Sequence, residues 1–218
     1  MTYREPLMDR LQRKFGRYAI RNLMLYIVAG MAAVYVLDIV AAPLMGFSLS
    51  NLLMFNRSAI LRGQIWRLVT FIFIPPSSSM LFIFFALYFD YLVGTALQQQ
   101  WGSFRFNLYY LCGMLGTILS GFLTGYATNS YLNMSLFFAF ALLYPDFELI
   151  LLILPVKVKY LALISAVGVV YSLIMDSWAG KLALVVSLIN VALFFGRDAV
   201  NTVKNAYRRY QWKKNWRR

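Results

Sequence analysis

A short apolar stretch near the middle of the chain, residues 131–145, limits the folds that this sequence can adopt. A helix of these 15 residues is about 22 Å long, whereas the hydrocarbon core of a bilayer is roughly 30 Å thick. Polar groups left unpaired in lipid cost several kcal/mol each, so a helix this short has to be surrounded by other helices. Asn133 and Ser135 lie near its start. The stretch therefore predicts a central helix that carries a hydroxyl group below the membrane surface.

The composition indicates a membrane protein with several spans. Hydrophobic residues make up 61% of the 218 residues and charged residues 13%, whereas soluble proteins have about 45–50% and about 25%. At roughly 20 to 25 residues for each span, five to seven helices fit in one domain. We predict an all-α polytopic membrane protein.

The net charge of +13 is concentrated at the two ends of the chain. Six of the 21 basic residues precede the first predicted span, and eight follow the last. By the positive-inside rule both termini face the cytoplasm, so the number of spans is even. Basic residues beside a membrane bind anionic headgroups, which favours the lipid bilayer over nucleic acid as the partner. We predict a cytoplasmic amphipathic arm over residues 1–18, a six-span membrane domain over 19–198 and a basic cytoplasmic tail over 199–218.

Cysteine and histidine usage excludes several kinds of site. The chain has one cysteine, Cys112, and no histidine. A single cysteine cannot form an internal disulfide, and its apolar surroundings indicate a packing role. The sequence predicts no cofactor and no metal.

The first span is predicted over residues 22–42, ended by Pro43, with Asp38 near its outer end. The next segment, 44–74, has no charge-free window of about 18 residues, so it is predicted to be a long structured extracytoplasmic loop and not a span.

Two residues near the end of this loop have predicted structural roles. Trp66 suits the membrane interface. Arg67, beside it, is expected to fix the loop by donating hydrogen bonds to backbone carbonyls.

The later spans follow from the apolar segments downstream. Asp90 is an intramembrane carboxylate that is expected to face the other helices and not lipid. Between the later spans the sequence predicts a cytoplasmic turn at 98–105, a short apolar segment of one to two turns at 146–154 and an outer turn at 176–181. The predicted spans are residues 80–97, 106–126, the short fourth helix at 131–145, 160–175 and 182–195.

The third predicted span has one face of small residues. At about 100° for each residue of a helix, Gly113, Thr117 and Ser120 lie on the same side, flanked by Gly116. Small residues in membrane helices allow close helix contact. We expect another helix to pack there, and the short central helix is the natural candidate.

Three groups of residues, taken in order, resemble the rhomboid superfamily, including its derlin branch. They are the pair Trp66-Arg67, a block from 97 to 106 that contains Trp101-Gly102, and the segments 139–146 and 154–160 around the end of the fourth helix. The likeness covers about residues 20–196. It implies a six-helix bundle with a long first loop and a short fourth helix, in a bacterial plasma membrane. It also implies a membrane-immersed serine protease, with a Gly-x-Ser-Gly serine on the fourth helix and a histidine on the sixth.

The chain departs from this family at the positions that carry catalysis. It has no histidine, so the general base is absent. The serine motif is missing, because Ser130 and Ser135 are followed by Tyr131 and Leu136. The sixth span lacks the Gly-xxx-Gly pattern, and Gln98 stands in place of the family's glutamate.

The resemblance and its departures together predict a catalytically inactive, rhomboid-like or derlin-like pseudoprotease. Such a protein binds transmembrane clients or partner proteins, in membrane-protein quality control or regulation. Ser130, Ser135 and Lys181 are then vestigial candidates for catalysis. Client-binding or structural roles are expected for Trp66, Arg67, Asp90, Trp101, Gly102, Gly113, Gly116, Ser120 and Asn133.

Two other functions remain open from the sequence. The first is an intramembrane serine peptidase that uses Lys181 as the base for Ser130 or Ser135, because a desolvated lysine is neutral more easily. The second is a small transporter or channel whose polar pathway includes Asp38, Asp90 and Asn190.

Overall fold

The computed structural model describes residues 7–76, 79–151 and 154–194, and these residues are mostly helical. The basic tail predicted over 199–218 lies outside them, as do the first six residues of the predicted arm. The ten helices of the described residues are α1 (Leu7–Phe15), α2 (Leu23–Met45), α3 (Leu49–Leu53), α4 (Arg57–Leu61), α5 (Arg67–Thr70), α6 (Met80–Trp101), α7 (Ser103–Thr124), α8 (Ser130–Leu143), α9 (Val158–Met175) and α10 (Trp178–Phe194).

Short strands form two antiparallel pairs. The first pair joins β1 (Phe55–Asn56) to β2 (Tyr126–Ala127), and the second joins β3 (Glu148–Leu151) to β4 (Leu154–Lys157).

Three of the described helices are long and apolar enough to cross a membrane, by length and composition alone. The segments are Leu23–Val40 of α2, Ser103–Thr124 of α7 and Val158–Met175 of α9. α8 and α10 are apolar but shorter. In α9 only 11% of the residues are buried, and its outward face is aliphatic and aromatic. An apolar surface of this kind suits contact with lipid.

The short helix α8 lies at the centre of the fold, as the sequence predicts. It packs against α6, α7 and α9. Half of its 14 residues are buried, among them Leu132, Ser135 and Phe140. Contacts with three longer helices therefore hold this short helix within the bundle.

Pairwise contacts fix the level of α8 within the bundle. Asn133 of α8 donates to Asp90 of α6 at 3.1 Å, and the hydroxyl of Tyr144, which follows the last residue of α8, donates to Gln100 Oε1 near the end of α6 at 3.2 Å, so the two helices run in the same direction. This register sets the first turn of α8 about seven residues, or roughly 10 Å, below the start of α6. We call this first turn, residues 130–133, the head of α8.

Two predicted helix boundaries are wrong. Pro43 does not end the first long helix but lies inside α2, two residues before its end. A proline there removes a single backbone hydrogen bond, which a final turn tolerates. α10 begins at Trp178, so the predicted outer turn at 176–181 is partly helical.

The predicted turn over 98–105 is also wrong, since Gly102 alone separates α6 from α7. Gly102 has φ +80°, which a glycine adopts without strain. The buried amide of Gln98 donates to Ser103 Oγ at 2.9 Å and holds the two helix ends together. Trp101 stacks against Phe106 and Tyr109 of the next helix.

The segment predicted as one or two turns at 146–154 is instead the strand β3, which pairs with β4. Pro155 cannot extend a helix there. Two ion pairs accompany the hairpin, Lys157 with Glu148 at 3.8 Å and Lys159 with Asp146 at 2.7 Å. The Lys159 ammonium, through its hydrogen bond, holds the pKa of the Asp146 carboxyl below its usual value.

Candidate functional site

The connection between α2 and α6 folds over the head of α8. Its described part is residues 46–76 and 79. Phe55 of β1 pairs with Ala127 of β2, two residues before the loop residue Asn129. The Phe55 ring is buried edge-on against Phe71 and Phe122. The guanidinium of Arg57 donates to the carbonyl of Phe122 at 3.2 Å. Strand pairing and aromatic packing thus attach the connection to α7 and to the entry of α8.

Arg67 organises this connection from within. It is 7% exposed, and its Nη1 donates to the carbonyls of Asn51 at 2.9 Å and Met54 at 2.7 Å. Its Nε donates to Gln64 Oε1 at 2.6 Å. The two bonds to the Asn51 and Met54 carbonyls are the backbone hydrogen bonds that the sequence predicts for this side chain. Trp66 beside it is exposed and donates to the carbonyl of Leu52 at 3.3 Å.

Two further polar residues hold the same connection, and sequence reasoning gave neither of them this role. Asp38 of α2 accepts hydrogen bonds from the backbone amides of Leu49 and Ser50 and from the hydroxyls of Ser48 and Ser50. It therefore caps the first turn of α3 from a different helix.

Asn129 makes the second of these attachments, just before α8 begins. It is buried, and its Nδ2 donates to the carbonyls of Ile72 at 3.1 Å and Ile74 at 2.8 Å. An asparagine ahead of a helix usually indicates a cap for that helix. Here its side chain bonds to the distant connection instead, which a local pattern does not reveal.

A cavity of about 220 Å³ remains between the connection and the head of α8. It is far larger than the space one water molecule needs. Ser130 borders it and is exposed. The other lining residues are Ser50, Asn51, Met54, Phe71, Ile74, Pro75, Pro76, Tyr126, Ala127, Thr128 and Asn129.

Ser135 lies below this cavity and is fully buried. Its Oγ donates to the carbonyl of Leu132 at 2.7 Å and accepts from Tyr109 OH at 3.0 Å. The Tyr109 ring is itself enclosed by Trp101 and Phe194, at centroid distances of 5.5 and 5.1 Å. The hydroxyl proton of Ser135 therefore points to a carbonyl of its own helix. Aromatic rings cover Tyr109, which donates to Ser135.

Lys181 lies in the first turn of α10. Its Nζ is 5.9 Å from the centroid of the Trp178 ring. Within residues 7–76, 79–151 and 154–194, no hydrogen bond connects Lys181 to Ser130 or Ser135. The structure does not assemble a serine–lysine pair there.

The small-residue face of α7 packs against more than α8. A Cβ atom added at Gly113 would collide with Leu132 of α8 and with Asn190 of α10. One added at Gly116 would collide with Val186 of α10. The predicted contact with α8 is therefore present at Gly113, and α10 packs on the same face at Gly113 and Gly116.

The polar residues proposed as a transport pathway lie in separate contacts. Asp38 caps α3, Asp90 accepts from Asn133, and Asn190 Nδ2 donates to the carbonyl of Tyr109 at 3.2 Å. The structure thus brings Asp90 together with Asn133, but neither Asp38 nor Asn190 makes a hydrogen bond to them.

Neither a scan against protein-family models nor a search of curated proteins finds a significant match to this chain. The geometry around the head of α8 is therefore the basis for assigning a function.

Proposed function

We propose that this protein is a noncatalytic, rhomboid-like membrane protein of six helices that binds transmembrane clients or partner proteins at the head of α8. The observation that carries the proposal is the recessed α8. Its first turn begins roughly 10 Å below the start of α6 and faces a cavity of about 220 Å³ under the connection between α2 and α6. The resemblance of the sequence to rhomboids implies this combination of a short central helix and a covering loop.

Loss of catalysis is supported by the chemistry at both serines. Nucleophilic attack by serine needs a base within hydrogen-bond reach. The 218-residue chain contains no histidine, and Ser135 Oγ donates to the carbonyl of Leu132. The Tyr109 hydroxyl donates to Ser135 Oγ and therefore does not act as its base.

Client binding is supported by the incomplete cover on α8. Met134, Phe138 and Leu142 form one stripe of this helix and are all at least partly exposed, although residues 135–137 and 139–141 between them are buried. A short central helix with an open apolar stripe leaves room for another apolar segment. Binding there adds hydrophobic or van der Waals contacts without any chemical step.

The proposed location is the bacterial plasma membrane, with both termini in the cytoplasm. The distribution of basic residues supports this orientation. With Cys112 replaced by alanine, we expect membrane-impermeant thiol reagents to label Arg57→Cys and Trp178→Cys from outside and Lys157→Cys only after permeabilisation. Labelling of position 157 in intact cells contradicts the six-span orientation.

Site-specific photo-crosslinking in native membranes tests client binding. A photoreactive amino acid at Ser130 or Trp66 is expected to capture membrane proteins with apolar single spans. The same group at Leu193, which is 76% exposed on α10, is the control for random lipid-phase collisions. Equal yields and the same products from all three positions would contradict a client site at the head of α8.

A further inference from the structure

Three helices contribute polar side chains to one region of the bundle. Asp90 of α6 accepts from Asn133 Nδ2 of α8 at 3.1 Å. Tyr110 of α7 lies close enough to Asp90 for an electrostatic interaction. Asp90 is ten residues into α6, or about 15 Å, which is half the thickness of a hydrocarbon core. We call these three residues the Asp90 cluster.

The Asp90 cluster has unused hydrogen-bonding capacity. Asn133 Oδ1 and Tyr110 OH are both buried without a hydrogen-bond partner among the described residues. Tyr110 is only 3% exposed. The one hydrogen bond recorded to Asp90 in the described residues is that from Asn133. Buried polar groups in folded proteins are normally paired, so the cluster is incomplete as it stands.

Asp90 is less closely covered than its neighbours on the same face of α6. Ile83 and Leu97 lie about two turns before and after Asp90 on the same face of α6, and they are 4% and 0% exposed. Asp90 and Asn133 are only half-buried, although residues one or two turns away on the same helix faces are buried. Asp90 is therefore accessible from outside the bundle to an extent that Ile83 and Leu97 are not.

The unpaired acceptors of the Asp90 cluster determine which chemical class of ligand it can bind. A carboxylate oxygen and an amide oxygen both accept hydrogen bonds, and an ammonium or guanidinium group supplies several donors with the opposite charge. At this depth a soluble cation would first have to cross hydrocarbon. A lysine or arginine within a transmembrane segment is already present there, and it needs an anionic partner.

We propose that the Asp90 cluster recognises transmembrane segments that carry a lysine or arginine near mid-membrane. This inference rests on the proposed client-binding function and names the chemical class of client. Apolar contacts at α8 then provide binding that does not depend on sequence, whereas the salt bridge to Asp90 provides selectivity.

Binding of model transmembrane peptides to the purified full-length protein in liposomes tests the inference. The peptides share one leucine–alanine span and differ only at the central residue, which is lysine, arginine, glutamate or leucine. Fluorescence transfer from a labelled peptide gives the dissociation constant. Asp90→Asn removes the charge but keeps an acceptor for Asn133. Asp146→Asn, at an exposed carboxylate that pairs with Lys159 beside the hairpin of β3 and β4, is the matched control.

We expect the lysine and arginine peptides to bind wild type about tenfold more tightly than the leucine peptide, since a charge-assisted hydrogen bond contributes at least that factor. Asp90→Asn should abolish this preference, and Asp146→Asn should keep it. Asp90→Lys should reverse it toward a peptide with central glutamate. Equal binding of all peptides to wild type, or a preference that survives Asp90→Asn, overturns the inference and leaves client binding intact. If no peptide binds wild type, both the inference and the proposed function are overturned.

Discussion

Gly116→Leu and Ser120→Leu are each expected to destabilise the fold by about 1–3 kcal/mol, because both insert a large side chain into a closed helix contact. A Cβ atom at Gly116 already collides with Val186 of α10. Ser120 is 2% exposed, so its neighbours leave no volume for a leucine. The apparent melting temperature in detergent is the measurement.

Gly168→Leu is the matched control for this pair. Gly168 lies in α9, and a Cβ atom there meets nothing within 4 Å. Leucine also has a higher helix propensity than glycine, so this variant should melt at or above the wild-type temperature. Gly125 is unsuitable as a control because its φ of +89° strains any larger residue. Equal losses at positions 116, 120 and 168 would contradict the assigned packing face of α7.

Arg67→Met is expected to cost about 2–3 kcal/mol and to detach the connection between α2 and α6. The substitution keeps much of the apolar stem but leaves the carbonyls of Asn51 and Met54 without their charged donor. Arg67→Lys should recover only part of the loss, because an ammonium does not reproduce the planar fork of a guanidinium.

Arg62→Met is the control for Arg67→Met. Arg62 belongs to the same connection, and its Nε donates to the carbonyl of Ser58 at 3.1 Å from an exposed position. Loss of an exposed hydrogen bond changes stability by less than about 0.5 kcal/mol. Protease sensitivity of the connection, together with the melting temperature, separates the two variants. Similar behaviour of both would mean that Arg67 does not organise the connection.

The sequence predicts those features that depend on composition and on the length of apolar segments. The central position of α8 follows because residues 131–145 are too short to span alone. The role of Arg67 follows from a guanidinium in a segment with no acidic residue nearby, where backbone carbonyls are the available acceptors.

Features that depend on tertiary contacts could not be predicted in the same way. Asp38 and Asn129 bond to segments that are distant in the chain, and no local pattern encodes those partners. The hairpin of β3 and β4 and the helical end of α6 were missed for a related reason. Short apolar segments fit a helix or a strand equally well, and Gln98 to Gln100 are compatible with both a turn and a helix. Packing decides between these alternatives.

Peptide hydrolysis by the purified protein in liposomes tests the central claim most directly. Rhomboid-type transmembrane substrates are offered to wild type and to Ser130→Ala, Ser135→Ala and Lys181→Met. A serine without a base in hydrogen-bond reach loses most of its rate enhancement, so we predict that cleavage by all four proteins equals that in empty liposomes. Cleavage by wild type that is abolished by Lys181→Met and by one of the two serine substitutions would contradict the account and identify a serine–lysine peptidase.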